Sequence, residues 1–293
     1  MLVSMMALTI SPPVIAGYLP AWSIANYELA RLKPATDVLY FSIQPNPDGT
    51  LDLSDIAAAD LPRLRRAKEK YGFRLLICCG GWERSAGFYP MASHPEKRKR
   101  FVDNALAFCQ VNQFDGIDLD WEHPANQAQA DAYGELVRDL HARFSPTGRI
   151  VTAAIADWQP MSRTMVKNLD RVHVMSYDHE GRHATMADSK KDILHVRQMG
   201  FPSAKIVLGV PFYGRGLVDH GDEKSYADIM AAFSPPLSAD EAGGYYFNGR
   251  DTIKAKADYA QAQGLAGVMI WEVTQDVTGP KSLLSTLRIA LDD

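Results

Sequence analysis

The run Asp115-Gly116-Ile117-Asp118-Leu119-Asp120-Trp121-Glu122 alternates carboxylates with apolar side chains. Asp118, Asp120 and Glu122 are spaced by two, with Ile117, Leu119 and Trp121 interleaved. On a β-strand successive side chains point to opposite faces, so the acids share one face and the apolar residues the other. A helix would scatter the same positions around its axis, so the period selects a strand. Carboxylates facing a buried interior are costly unless partnered. Such a run is tolerated where a strand opens to solvent. A solvated acidic edge and a calcium loop are the plainer alternatives. The calcium loop fails because its Gly and distal Glu are missing, and Ile, Leu and Trp offer no oxygen ligands. Clustered titratable groups point instead to a catalytic site.

Outward from this run, short apolar segments recur along the chain. The pattern predicts strands over Val14–Trp22, Asp37–Ile43, Arg74–Cys79, Gly116–Asp120, Ile150–Ala156, Arg171–Tyr177, Lys205–Phe212 and Ala266–Trp271. Most are near-continuous apolar runs, as expected of parallel strands buried on both faces. Helix-like segments lie between them, at Ser54–Tyr71, Pro95–Val111, Gln127–Phe144, Ser189–Met199, Thr252–Gln263 and Lys281–Leu291. Ala132, Tyr133, Leu136, Val137, Leu140 and Phe144 repeat at three- and four-residue steps, giving one apolar stripe. Ser54 is placed to open a helix, while Gly72 and Gly264 are placed to end two others.

This alternation predicts an α/β fold, a single (β/α)8 TIM barrel. An open doubly wound sheet would place G-x-G-x-x-G after its first strand, where Gly17-Tyr18-Leu19-Pro20 stands instead. Residues 14–293 form the expected catalytic domain and 1–13 a leader or extension. The longest interruption, Gly214 to Asp251, is too short for a sizeable insertion domain after the seventh strand. In a barrel the acidic run must end at the carboxyl-terminal mouth, where active sites are built.

Composition narrows the class. The chain has 293 residues, 46% hydrophobic and 23% charged, with a formal charge of −4, which suits a globular protein with a large core. That balance provides no nucleic-acid groove, which needs clustered positive charge. Lys97-Arg98-Lys99-Arg100 reads as the solvated start of a helix. No apolar stretch reaches the roughly 18 residues of a membrane span. Met1–Leu8 is apolar without a basic flank, a poor secretory signal as it stands. Cys78, Cys79 and Cys109 show no metal or disulfide spacing and read as small buried hydrophobes. His179, His183, His195 and His220 share no ligand spacing on one element, so no metal is expected and most read as surface or loop residues.

Adjacent inward residues on a strand are about 6.6 Å apart at Cα, so Asp120 and Glu122 are expected to share a hydrogen bond. Two carboxyls that close disfavour joint ionisation, and one keeps its proton to higher pH. A protonated carboxyl at a mouth is a general acid for a leaving alkoxide, and Glu122, outermost, takes that role.

The stretch D-G-I-D-L-D-W-E closely resembles the D-x-x-D-x-D-x-E signature of glycoside hydrolase family 18, the chitinases. Cys79-Gly80-Gly81-Trp82 is similar to that family's S-G-G motif, with Cys for Ser. Met175-Ser176-Tyr177-Asp178 resembles its M-x-Y-D, Gly209–Arg215 its G-x-P-x-Y-G-R, and Gly267–Trp271 its last strand. The resemblance implies hydrolysis of β-1,4-linked N-acetylglucosamine polymers or oligomers, with retention and no cofactor. Glu122 then protonates the glycosidic oxygen, and Asp120 orients the substrate's own N-acetyl group, which attacks the anomeric carbon to give an oxazolinium. Asp118 supports Asp120 from below, Tyr177 hydrogen-bonds the acetamido carbonyl, Asp178 helps hold that group, and Trp271 is the floor under the sugar. Met175, Tyr213, Arg215, Trp82, Tyr18 and Phe41 are the remaining substrate-binding candidates, with Tyr213 and Arg215 equally readable as structural residues and Trp22 and Trp158 also near strand ends.

Larger members of the family carry an insertion after the seventh strand that walls a deep tunnel. Its absence here implies an open groove, internal cleavage and soluble oligomers or glycan chains as comfortable substrates. The expected partner is chitin or a chitooligosaccharide, with no nucleic acid and no membrane, and the protein itself is expected to be a monomer. The implied function favours a secreted or periplasmic location. Two alternatives remain: an endo-β-N-acetylglucosaminidase on N-glycans or peptidoglycan-like chains, and a non-catalytic chitin-binding lectin.

Overall fold

A computed structural model describes residues 12–292. The predicted 1–13 extension therefore falls, through residue 11, outside the described residues. Eight parallel strands close a barrel: β1 (Val14–Pro20), β2 (Asp37–Pro45), β3 (Arg74–Gly80), β4 (Gly116–Asp120), β5 (Ile150–Ile155), β6 (Arg171–Val174), β7 (Ile206–Pro211) and β8 (Gly267–Trp271). Each pairs with its neighbour in sequence, and β1 closes the ring by pairing with both β2 (Ala16 opposite Asp37) and β8 (Val14 opposite Gly267). All eight predicted strands are present, with ends displaced by a few residues.

The pleat sorts each strand into two cores. Val14, Ala16 and Tyr18 of β1, Leu39 and Phe41 of β2, and Cys78 of β3 face the barrel interior. Ile15, Leu19, Val38, Tyr40 and Cys79 face the surrounding helices. On β4 the outward set continues through Ile117, Leu119 and Trp121. The three cysteines are buried free thiols.

The outer layer holds α1 (Asp60–Tyr71), α2 (Pro95–Asn112), α3 (Gln127–Phe144), α4 (Arg163–Asn168), α5 (Met186–Gln198), α6 (Arg250–Ala262) and α7 (Leu283–Asp292). After β1 two short 3-10 turns, Ile24–Asn26 and Leu29–Leu32, take the place of a helix. Ser54 does not open α1. Leu51–Asp52 turns back against Gln44–Pro45, Asp52 accepts the Ser54 backbone N–H, and the helix begins at Asp60. The true start of α5 is a capping box of Thr185 and Asp188, so the helix begins ahead of the expected Ser189. Gly72 ends α1 in the left-handed conformation, as its position predicts.

One other expectation needs correction. Within the basic run Arg98 is buried, donating to Asp139 at 2.7 Å and to the Ala92 carbonyl at 2.8 Å. Gly214 to Asp251, readable from sequence as a long loop or a small excursion, is the excursion. Strands Tyr213–Gly216, Glu223–Ser225, Glu241–Ala242 and Tyr245–Tyr246 form a small antiparallel sheet beside the helix Tyr226–Phe233.

The amino-terminal end of the barrel is closed by charge. Asp37 on β2 accepts two hydrogen bonds from the Arg171 guanidinium, at 3.1 and 3.2 Å, and Arg74 Nε lies 2.7 Å away. Burial works against the Asp37 carboxylate, but the two guanidiniums prevail and hold its pKa below the ordinary value. Removing one partner of such a pair strands the other. Asp37→Ala is expected to cost about 3–5 kcal/mol of stability, read by urea denaturation. Because the folded pKa is depressed, the wild-type advantage is present above pH ~4 and fades as pH falls through the folded value; a variant as stable as wild type at neutral pH would refute this.

Candidate active site

Asp118 lies wholly inside the barrel, and donors from other strands converge on it. Thr152 Oγ1 on β5 donates to Oδ1 at 2.5 Å and the Tyr18 hydroxyl on β1 donates to Oδ2 at 2.7 Å. His173 Nδ1 on β6 is 3.2 Å from Oδ1, and the Cys78 thiol is 3.6 Å from Oδ2. Burial, then the nearby Asp118, pushes the Cys78 thiol well up, so it stays protonated and donates.

Asp120, one pleat higher, is 3% exposed, and its Oδ1 is buried with no hydrogen-bond partner. Burial first, then repulsion from Glu122 and Asp118, pushes its pKa well above the ordinary carboxyl value. The expected Asp120–Glu122 hydrogen bond is not formed among the described residues. The strand ends at Asp120, and the chain turns away so that Glu122 Oε2 faces His123 Nε2 at 3.4 Å. The coupling between the two acids is through space. Glu122 is raised to about 7, by burial first and then by Asp178.

The turn beyond β4 is held by the segment after β3. The Glu122 backbone N–H donates to Ser85 Oγ at 2.9 Å, and that hydroxyl reaches the Gly81 and Asp120 carbonyls at 3.0 and 3.2 Å. Gly80 has φ +106°, and a Cβ there would strike the Asp120 carbonyl, so the two strand ends meet this closely only with glycine. Three non-proline peptide bonds at strand ends are cis: Phe41–Ser42, Glu122–His123 and Trp271–Glu272.

A cleft of about 560 Å3 opens over these carboxyls. Its floor is Trp271, edge-on to Phe41 (4.8 Å between ring centroids) and to Tyr18 (5.5 Å). Met175 and Tyr177, just beyond β6, line one side, and the Tyr177 hydroxyl lies 3.8 Å from the Met269 sulfur. Trp22, Trp82 and Trp158 stand at the rim, 61%, 70% and 67% exposed. Indole faces so exposed suit the C–H faces of pyranose rings, leaving their N–H edges for hydrogen bonds.

Asp178 faces the same cleft but is fully engaged. It accepts from Tyr213 at 2.8 Å and from Arg215 at 2.8 and 3.1 Å, with His183 Nδ1 3.6 Å away. Burial opposes its ionisation, but His183, Arg215 and Tyr213 outweigh it and hold the carboxyl far below its usual range. Asp157, the remaining acid of the cleft, is paired with His195 at 2.8 Å.

Tyr213 takes the structural one of its two places. It is 1% exposed and is not among the residues lining the cleft; its ring meets Tyr177 edge to face, 6.2 Å between centroids, and its hydroxyl is spent on Asp178. It positions Asp178 rather than contacting a ligand. Every other substrate-binding candidate, from Tyr18 to Arg215, borders the cleft. His183 is fully buried, and His179 lines the cleft bound to Asp192 at 2.9 Å. His173 and His123 were not singled out, although the alternation Arg171-Val172-His173-Val174 places His173 on the inward face. Among the described residues no group of three or more His, Cys, Asp or Glu is arranged to hold a metal ion.

The sequence signature described as Glycosyl hydrolases family 18 matches residues 14–276. The chain belongs to that family. Endochitinase 1 of Metarhizium robertsii is 27% identical over 75% of this chain, a match spanning 65% of that relative's length. Probable chitinase 2 of Drosophila melanogaster is 26% identical over 90% of this chain and 72% of its own. Among solved structures, a chitinase from Bacteroides thetaiotaomicron superimposes with a TM-score of 0.86 at 24% identity, covering 96% of this family 18 chain and 97% of that one. A GH18 chitinase of Flavobacterium johnsoniae gives 0.85 at 24% identity, over 96% and 94% of the two chains. At that identity the superpositions speak for the fold.

The electrostatics of this family 18 site can be read directly. In 13C NMR of carboxyl-labelled protein, Glu122 is expected to titrate near pH 7 while Asp178 stays ionised throughout. A Glu122 midpoint near the ordinary ~4.3 would contradict the site described here.

Proposed function

We propose that the protein hydrolyses β-1,4 bonds between N-acetylglucosamine units of chitin or chitooligosaccharides, with retention and with the substrate's own amide as nucleophile. The observation that carries this reading is a carboxyl raised to about 7, Glu122, above the unpartnered buried oxygen of Asp120 at the foot of an aromatic cleft. The chitinase names of the two relatives agree with it.

Glu122 holds a proton near neutrality and gives it to the glycosidic oxygen as the bond to the anomeric carbon breaks. The leaving sugar departs as a neutral alcohol. A nucleophile must arrive from the other face of the ring, and two-carboxylate glycosidases use a second acid for this. The cleft offers Asp157 and Asp178 besides the β4 pair, and both are spent on cationic or histidine partners. The acetamido oxygen of the substrate supplies the missing nucleophile, closing an oxazolinium ring on the anomeric carbon. Asp120 Oδ1 is the natural acceptor for the amide N–H, and as that nitrogen becomes positive a carboxylate beneath it stabilises the intermediate. The Tyr177 hydroxyl donates to the Met269 sulfur at 3.8 Å, a weak acceptor that it can exchange for the amide carbonyl, fixing its line of attack. Holding the amide at attack distance makes the step intramolecular, a gain on the order of 7–11 kcal/mol for well-oriented groups. Water then opens the ring from the face the first product left, losing its proton to the Glu122 carboxylate.

Glu122→Gln is expected to abolish turnover of chitohexaose while leaving its binding intact, checked by a product chromatogram alongside calorimetric titration. Near-normal rates in that variant would remove Glu122 from the role. The anomer formed first, followed by 1H NMR during digestion, is expected to be β; an initial α-anomer would exclude assistance by the amide.

A further inference from the structure

His123 directly follows the proposed acid, and the reaction as drawn gives it no task. Its ring leans on Trp158, with centroids 4.7 Å apart. Nδ1 lies 3.2 Å from the side-chain oxygen of Gln159. The same oxygen accepts the Ala156 backbone N–H at 3.1 Å. A backbone N–H can only donate, so the atom facing it is the amide oxygen and not the amide nitrogen. That oxygen also faces Nδ1, so Nδ1 carries a hydrogen. The lone pair of the neutral ring therefore sits on Nε2, 3.4 Å from Glu122 Oε2. The one hydrogen these two atoms can contest is the carboxyl proton.

We propose that His123 shares the proton of Glu122 and is a positioning residue that keeps the general acid loaded. The proposal rests on Glu122 being that acid. An acceptor aimed at a protonated carboxyl favours the protonated form over the carboxylate. Burial lowers the basicity of the His123 ring, so the proton resides on the carboxyl and the imidazole stays neutral.

The other charged groups around the cleft leave this pairing intact. Arg215 is committed to Asp178 at 2.8 Å, and Arg84 to Asp55 at 2.6 Å. His179 is bound to Asp192 and His195 to Asp157. Asp120, at the end of β4, is itself pushed well up by burial and then by Glu122 and Asp118, and Asp178 adds to burial in raising Glu122, so the crowding of acids again favours the loaded carboxyl. Tyr177 faces the group across the cleft as a phenol, its ionisation pushed well up by burial and the surrounding carboxyls. Among the described residues, His123 is the titratable side chain within ion-pair distance of Glu122.

His123→Phe keeps a ring against Trp158 and deletes Nε2. The alkaline limb of kcat/KM on chitotetraose is expected to move to lower pH by half a unit or more, because the carboxyl proton has lost its acceptor. A limb that stays in place, as mere packing on Trp158 predicts, or one that moves to higher pH, overturns the proposal. Long-range 1H–15N spectra of the histidine-labelled wild type provide a second reading that needs neither folding of the variant nor hydrolysis. They are expected to show the hydrogen on Nδ1 and an Nε2 resonance that shifts as Glu122 titrates, the shift vanishing in Glu122→Gln. A hydrogen on Nε2, or an Nε2 resonance indifferent to Glu122, refutes proton sharing. Failure of the wild type to cleave any chitooligosaccharide would defeat the functional reading alone, since the spectra decide the proton's place independently.

Discussion

A carboxylate enclosed by a barrel must be satisfied by the barrel itself. Asp118 on β4 draws hydrogen bonds from Tyr18 on β1, Thr152 on β5 and Cys78 on β3, with His173 of β6 alongside. Two of those strands, β1 and β6, are not neighbours of β4 in the sheet. Only a closed ring brings them across the axis to the same carboxylate. Closure and the chemistry of the site are thus one constraint, because a sheet that failed to close would leave the acid of β4 inside an apolar layer without donors.

Compensation of negative charge thins out along the barrel axis. At the amino-terminal end Asp37 is met by two guanidiniums. Asp118 is met by hydroxyls, a thiol and an imidazole. Asp120 has an oxygen with no partner at all, and Glu122 faces one imidazole at the edge of the cleft. The deep carboxylates are fully answered, and Asp178 and Asp157 at the cleft are paired, while Asp120 and Glu122 are kept short of partners. An unanswered buried acceptor is expensive in the empty protein and becomes a recognition element when a ligand brings the missing donor.

The period of two in Asp118-Leu119-Asp120-Trp121 was enough to read the strand, its inward face and its place at the mouth, since alternation is a property of the backbone. Near-continuous apolar runs between helix-like segments put eight strands in order and missed mainly their ends. What it could not reach were distances set by the chain leaving the sheet. Asp120 and Glu122 share a face by count, yet the strand stops between them and their hydrogen bond is never made. Tyr213 follows a strand end like the residues that line the cleft, and only the position of Asp178 shows that its hydroxyl is already taken. His123 was invisible for a related reason. Its meaning depends on Gln159 and Ala156, more than thirty residues away, which fix where its hydrogen sits. Local pattern encodes facing, whereas partner choice is tertiary.

The small antiparallel sheet after β7 is joined to the barrel through Arg215, whose guanidinium spans from Glu223 of that sheet to Asp178 at the cleft. Its remaining strands, Glu241–Ala242 and Tyr245–Tyr246, pair among themselves and with Tyr213–Gly216, and make no ladder with the eight barrel strands. Material could be grafted onto this outlying hairpin layer, raising a taller flank over the groove, without disturbing a single rung of the barrel. Groove depth in such a scaffold is a modular property, free to drift while the carboxyl ladder beneath it stays put.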